Sequence, residues 1–155
     1  MTFYDLIICD IDNTIYNGNV LERFIESRYS FCFSRIHWRF RPFVCFIFIY
    51  FLKPSCEQIE SFISNDINNS PISPFELQSS CSSLIFVSNC WSFRLLNSKL
   101  FGFDVITSNW LRYISSNFDK QDLFLEIVKS HPNDSILFVG DLSSDSFKHY
   151  DFFKV

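Results

Sequence analysis

Two carboxylates one residue apart, Asp10 and Asp12, sit in the segment Ile8-Cys9-Asp10-Ile11-Asp12-Asn13-Thr14, and a second acidic cluster, Gly140-Asp141-Leu142-Ser143-Ser144-Asp145, lies far downstream. Each follows a short apolar run, Tyr4 to Cys9 in one case and Ile136 to Val139 in the other. Together the two clusters could hold Mg²⁺, a hard cation that takes one or two carboxylates along with waters and substrate phosphate oxygens. A plainer role also exists, because Asp and Asn in a turn often do no more than cap the next helix.

For these acids to meet, distant segments must reach one edge of a common scaffold. Val20, Leu21, Phe24 and Ile25 recur at helical spacing, and Leu84 to Val87 reads as a strand that ends at Ser88. Trp91 to Leu100 reads as a helix and Phe103 to Ile106 as a strand. Lys120 to Lys129 reads as a helix with Leu123, Phe124, Ile127 and Val128 inward. Strands alternating with helices predict an α/β domain, a three-layer, Rossmann-like, doubly wound parallel sheet with right-handed crossovers. Ligands bind such sheets outside the carboxyl ends of the strands, so Asp10, Asp12, Ser88 and Asp141 are expected to converge on one crevice. The chain reads as a single domain, 1–155, with its core at 1–19 and 81–155 and a small helical insert at 20–80.

Composition supports one packed domain and excludes disorder: 155 residues, 48% hydrophobic and 19% charged, with 21 phenylalanines. Alanine is absent, which reads as a compositional bias at permissive positions. Six cysteines lack a C-x-x-C pair or a histidine at zinc spacing, so they read as reduced thiols in a cytoplasmic setting. The start has no basic region and Asp10 and Asp12 interrupt the first apolar run, so no secretory signal is expected.

The net charge of −4 is unevenly spread. Leu21 to Pro54 carries +4, from six basic residues against Glu22 and Glu26, and leaves −8 for the remainder. Within that basic middle lies Phe43-Val44-Cys45-Phe46-Ile47-Phe48-Ile49-Tyr50-Phe51-Leu52, fenced by Arg41-Pro42 and Lys53-Pro54. As a helix it would reach only about 15 Å, half of a hydrocarbon core of roughly 30 Å. It reads as a buried helix or strand of the insert, with a surface anchor or partner-docking element as the alternative. Ser64 to Ser83, with Pro71 and Pro74, reads as a linker or return segment. Arg35, Trp38, Arg39 and Arg41 are the candidates for nucleic-acid contact, but the overall negative charge argues against that class of partner. His37, His131 and His149 show no partner pattern and read as solvated.

Asp10-x-Asp12-x-Thr14 after one apolar strand, Ser88 after another, a lysine opening a later helix, and Gly140-Asp141-x-x-x-Asp145 resemble the four motifs of the haloacid dehalogenase superfamily of phosphatases. The segment between the first two motifs, and the ending Phe138 to Asp145, are most similar to the phosphoserine-phosphatase-like branch. This resemblance implies a Mg²⁺-dependent phosphatase that hydrolyses a small-molecule phosphate monoester through an aspartyl-phosphate. It makes Asp10 the nucleophile and Asp12 the general acid, then base. It places Mg²⁺ on Asp10, the Asp12 carbonyl and Asp141, with Asp145 holding the metal's waters or orienting Lys120. Thr14, Ser88 and Lys120 would face the phosphoryl oxygens.

Alternatives accompany these roles. Ser88 could instead cap the helix near Trp91, and Lys99 competes with Lys120. The family's usual glycine after the second aspartate is Asn13 here, a residue that visits positive φ more readily than most. Only Asp151 to Val155 follow for the customary last strand. One rival reading keeps the fold as a catalytically inactive module that binds a membrane surface or a protein through Arg35 to Leu52. Another, a phosphoacceptor receiver domain, fits less well because both acids here leave the first strand.

Overall fold

The computed structural model describes residues 2–66, 70–96, 99–107 and 120–155. Its first strand, β1 (Tyr4–Asp10), turns Ile7 and Cys9 toward one apolar cluster and Leu6 and Ile8 toward another. Both faces are covered, which is why the strand reads as an unbroken apolar run and not as an alternation. β1 pairs in parallel with β2 (Cys81–Ser88) and with β5 (Ile136–Gly140). Outward from these, β4 (Phe103–Thr107) is parallel to β2 and β6 (Asp151–Lys154) is parallel to β5. The two-residue β3 (Lys99–Leu100) closes one edge antiparallel to β4.

The resulting six-stranded, mostly parallel sheet has the order β3-β4-β2-β1-β5-β6. The chain leaves β1 toward β2 and β4 on one side and returns to β5 and β6 on the other, so the direction of winding reverses between β1 and β5. That reversal opens a crevice at the carboxyl ends of those two strands.

Four helices lie on one face: α1 (Val20–Arg28), α2 (Arg41–Leu52), α3 (Cys56–Asn65) and α4 (Pro74–Ser79). Their inward residues, among them Val20, Ile49, Ile59 and Leu77, share a single apolar cluster with Ile7, Cys9 and Phe86 of the sheet. The segment between β1 and β2 is therefore packed on the sheet as part of one core. On the opposite face α5 (Lys120–Ser130) lays Phe124 and Ile127 against Leu6, Ile8 and Phe138. The molecule is an α/β domain of three layers.

Local chemistry accounts for the helix starts. Asn19 accepts from the Glu22 N–H at the head of α1, and Ser55 forms a reciprocal capping box with Gln58 at the head of α3. The expected Val20, Leu21, Phe24 and Ile25 are the buried face of α1.

Several sequence-based expectations are corrected. The stretch Ser64 to Ser83 is not a plain linker. Ser73 caps α4 by accepting from Phe75 N–H, Pro74 occupies its first turn where a missing N–H costs nothing, and β2 begins at Cys81 because it must match Tyr4 across the ladder. Residues 67–69 of that stretch lie outside the described part. The helix expected over Trp91 to Leu100 is a 3₁₀ segment at Trp91–Leu96, and Lys99–Leu100 is strand. A tight hairpin decides this, since Phe101 and Gly102 both take positive φ (52° and 80°), as a two-residue turn matching strand twist requires.

The apolar run Phe43 to Leu52 is helical but only half buried, with Cys45 and Ile49 inward. The short tail does form an edge strand, β6. All six cysteines are free.

These contacts predict opposite responses at two positions of α2. Ile49→Ala, at a fully buried site, should lower stability by about 3 kcal/mol in urea unfolding. Phe51→Ser, at a site 76% exposed, should change it by less than about 0.5 kcal/mol.

Candidate active site

The strand alternation that sends Leu6 and Ile8 toward α5 sends Asp10 the same way. There Lys120, in the first turn of α5, donates from Nζ to Asp10 Oδ1 and to Asp145 Oδ1, both at 2.6 Å. The three side chains retain 8%, 10% and 1% of their exposure, respectively. Asp145 ends a 3₁₀ turn, Ser143–Asp145, and its other oxygen accepts from Leu142 N–H at 3.0 Å. Gly140, the last residue of β5, makes room for it, because a Cβ at that position would overlap the Asp145 side chain. Asp141 follows directly, and one oxygen each of Asp10, Asp141 and Asp145 lie within 4.8 Å of one another.

The turn after β1 is braced from within. Asn13 has φ 60°, its N–H donates to Gly18 O, and Gly18 N–H donates back to Asn13 Oδ1 at 3.0 Å. Gly18 itself sits at φ 111°, open to glycine and strained for other residues. This loop leads into α1, where Val20 N–H donates to Asp12 Oδ1 at 2.9 Å. Asp12 thus satisfies an orphan N–H at the positive end of a helix. Thr14, fully buried, donates from Oγ1 to Asp10 Oδ2 at 3.3 Å, and Cys9 Sγ donates to the Asp10 carbonyl.

Burial dominates the electrostatics. It pushes the Asp10 carboxyl up to about 6, against the pull of Lys120 and with added repulsion from Asp145 and Asp141. Burial likewise raises Asp12 to about 7, opposed by the Val20 N–H and reinforced by Asp10. For Lys120 burial works against the charge, but Asp10 and Asp145 outweigh it and hold the ammonium above its ordinary range. Among the described residues one ammonium, bonded to two of the three clustered carboxylates, leaves a deficit of positive charge. That deficit, with three hard oxygens at this spacing, fits a small divalent cation such as Mg²⁺. The Asp12 carboxylate is turned to α1 and is not in the three-acid group.

Ser88 is buried at the end of β2, and its Oγ accepts from Cys90 N–H at 3.0 Å, so it does brace the turn into the next segment. The hydroxyl hydrogen of Ser88 is not used in that bond. Lys99, the competitor of Lys120, is exposed and pairs with Asp104 at 3.5 Å on the edge hairpin, away from the acids. His131 does have a partner: its Nδ1 lies 2.8 Å from Asp134 Oδ2 in the turn after α5. A separate surface concavity between α1 and α3, lined by Phe24, Arg28, Gln58 and Phe62, contains none of the clustered acids.

Two residues of the neighbourhood carry no motif. Gln121 donates from Nε2 to the carbonyls of Ser144 and Ser146, at 3.1 and 2.7 Å, tying the first turn of α5 to the turn that holds Asp145. Thr107, opposite Ser88 in the β2–β4 ladder, keeps a buried Oγ1 without a hydrogen-bond partner among the described residues. Adjacency to Lys120 was the only signal for Gln121, and a strand end the only one for Thr107. No protein-family model and no curated protein matches the chain.

Two outcomes follow for the protein in EDTA. Folded Asp10 and Asp12 bind protons at higher pH than the ordinary carboxyl near 3.8, so stability should rise as pH falls through about 7 and about 6, and be lost again as pH rises. Asp12→Asn keeps an acceptor for Val20 N–H and sheds the buried charge, so its thermal midpoint should exceed wild type at about pH 8 and converge with it near pH 5. Gly140→Ala should cost about 2 kcal/mol or more by displacing Asp145.

Proposed function

We propose that this chain is a Mg²⁺-dependent phosphatase of the haloacid dehalogenase type, hydrolysing a small phosphate monoester through an aspartyl-phosphate on Asp10. The observation that carries the reading is the Lys120 ammonium bridging Asp10 and Asp145 at 2.6 Å, with Asp141 in the same cluster, at the winding reversal of a parallel sheet. A structural ion pair needs one acid per lysine. Three clustered acids, two of them bonded to the one lysine among the described residues there, make a site that still attracts cations.

In this mechanism an Asp10 carboxylate oxygen attacks phosphorus and the bond to the leaving oxygen breaks. Asp12, whose carboxyl is pushed up to about 7, delivers its proton to the departing alcohol. Water then attacks the aspartyl-phosphate, Asp12 takes a proton from it, and inorganic phosphate leaves with Asp10 restored. Approach of a carboxylate to a phosphate oxygen meets repulsion of about 4 kcal/mol per unit-charge pair at about 4 Å and an effective dielectric near 20. Lys120 offsets part of this, held in place by Asp145. Mg²⁺ on Asp10, the Asp12 carbonyl, Asp141 and the Asp145 side would supply the remaining positive charge. Thr14, whose hydroxyl donates to Asp10 in the absence of substrate, and Ser88, whose hydroxyl hydrogen is not used in its bond to Cys90 N–H, would face the phosphoryl oxygens. A reducing, cytoplasmic setting accompanies this reading, in keeping with six free cysteines.

Hydrolysis of an aryl phosphate tests the proposal. Activity should require Mg²⁺, vanish with EDTA and with Asp10→Asn, and fall by about 10²–10³ in Lys120→Met. Asp12→Asn should accumulate an alkali-labile phosphoenzyme, because the second step lacks its base. Turnover indifferent to EDTA and to Asp10→Asn would reject the mechanism. A chain with intact fold, Mg²⁺ binding and no phosphoenzyme from any aryl or acyl phosphate would favour the non-catalytic module instead.

A further inference from the structure

The second helix of the insert presents an apolar face to solvent. Cys45 and Ile49 point into the core, while Phe43, Ile47, Tyr50 and Phe51, at the spacing of one helical face, are 56%, 38%, 51% and 76% exposed. Trp38 and Phe40, each 63% exposed, prolong the stripe beyond the amino end of α2. Ring contacts join its members, Tyr50 with Phe51 at 5.5 Å and His37 with both Trp38 and Phe40. Contiguous aromatic surface of this kind marks an interaction face.

Charge indicates what the face meets. No acidic residue occurs between Glu26 and Glu57, whereas Arg28, Arg35, Arg39, Arg41 and Lys53 all do. Arg35 and Arg39 are exposed at one end of the stripe and Lys53 at the other. The rest of the chain carries a net negative charge, so the excess of cations is confined to the segment that contains this face. A second copy is a poor occupant, since a two-fold contact would set these cations against one another with no acid to pair them. An anionic bilayer matches both features. Aromatic side chains, tryptophan and tyrosine above all, settle at the headgroup level, and arginine and lysine meet the phosphates beside them. A helix of 12 residues, about 18 Å long, lies along such a surface without crossing it, and no helix among the described residues is long and apolar enough to cross a membrane.

We propose that the exposed face of α2, with Trp38, Phe40 and the flanking Arg35, Arg39 and Lys53, docks the protein on an anionic lipid surface. The proposal is independent of the phosphatase reading and is tested on the full chain carrying Asp10→Asn as well as on wild type. Both should co-sediment with vesicles of phosphatidylcholine and phosphatidylserine in equal parts, far more weakly with pure phosphatidylcholine, and less as salt is raised.

Phe43→Ser combined with Tyr50→Ser and Phe51→Ser should reduce binding by tenfold or more with an unchanged thermal midpoint, because all three sites are exposed. Arg35→Gln with Arg39→Gln should reduce it about thirtyfold while leaving the apolar face intact. Absence of binding to either vesicle, or equal binding by wild type and both variants, would overturn the proposal. So would a lipid-indifferent dimer in light scattering that the aromatic variant dissolves, which would assign the face to a second copy.

Discussion

One ammonium group holds the site together. Lys120 Nζ lies 2.6 Å from carboxylate oxygens of Asp10 and Asp145, and all three side chains are nearly shielded from water. Two carboxylates brought this close repel by several kcal/mol, and removing each from water costs several more. The lysine makes the convergence of the β1 and β5 ends tolerable. Its compensation is incomplete, since Asp141 belongs to the same cluster and Asp10 is still pushed up to about 6. Much of the surrounding architecture serves this contact. Gly140 lets Asp145 approach, Leu142 N–H and Gln121 fix the turn that carries it, and Thr14 holds the far oxygen of Asp10.

The two faces of the sheet divide the work differently. On the α5 side Phe124 packs edge to face on Phe138 and Phe147, which seats the helix whose first turn carries Lys120 to Asp10. On the other side, α1 through α4 share one apolar cluster with β1 and β2, so the insert cannot lift from the sheet without exposing Phe33, Ile49 and Ile59. Most of its exposed large apolar side chains lie on or beside α2, with Tyr29 and Phe75 exposed elsewhere among the described residues. The abundance of phenylalanine therefore has two destinations, a bulky interior and an exposed stripe, and composition alone does not separate them.

Legibility in the sequence followed the range of the interactions. Asp10, Asp12, Ser88, Asp141 and Asp145 could be placed at strand ends because apolar runs bounded by acids and hydroxyls carry their own boundaries. Helix α1 was legible for the same reason, with its buried residues at fixed spacing and Asn19 as its cap. The 3₁₀ segment at Trp91–Leu96 was not, because its apolar pattern is helical and only the Phe101-Gly102 turn beyond it forces the chain back. Helix α4 was hidden by Pro74, which looks like a breaker and here opens a helix. Gln121 carries no pattern, since its role depends on two carbonyls more than twenty positions away.

Residue types and their order were enough to specify an α/β chain with acids at the ends of two strands, because side-chain periodicity and turn chemistry are local. Which charges meet was a matter of the folded sheet. Asp10 and Lys120 are 110 positions apart, and only the strand order with β5 beside β1, together with the parity of β1, brings them to one crevice. The same holds for α2, whose sequence is apolar on every side. Packing of Cys45 and Ile49 into the apolar cluster, beside α1 and the 3₁₀ segment Trp91–Leu96, is what decides that Phe43, Tyr50 and Phe51 face outward.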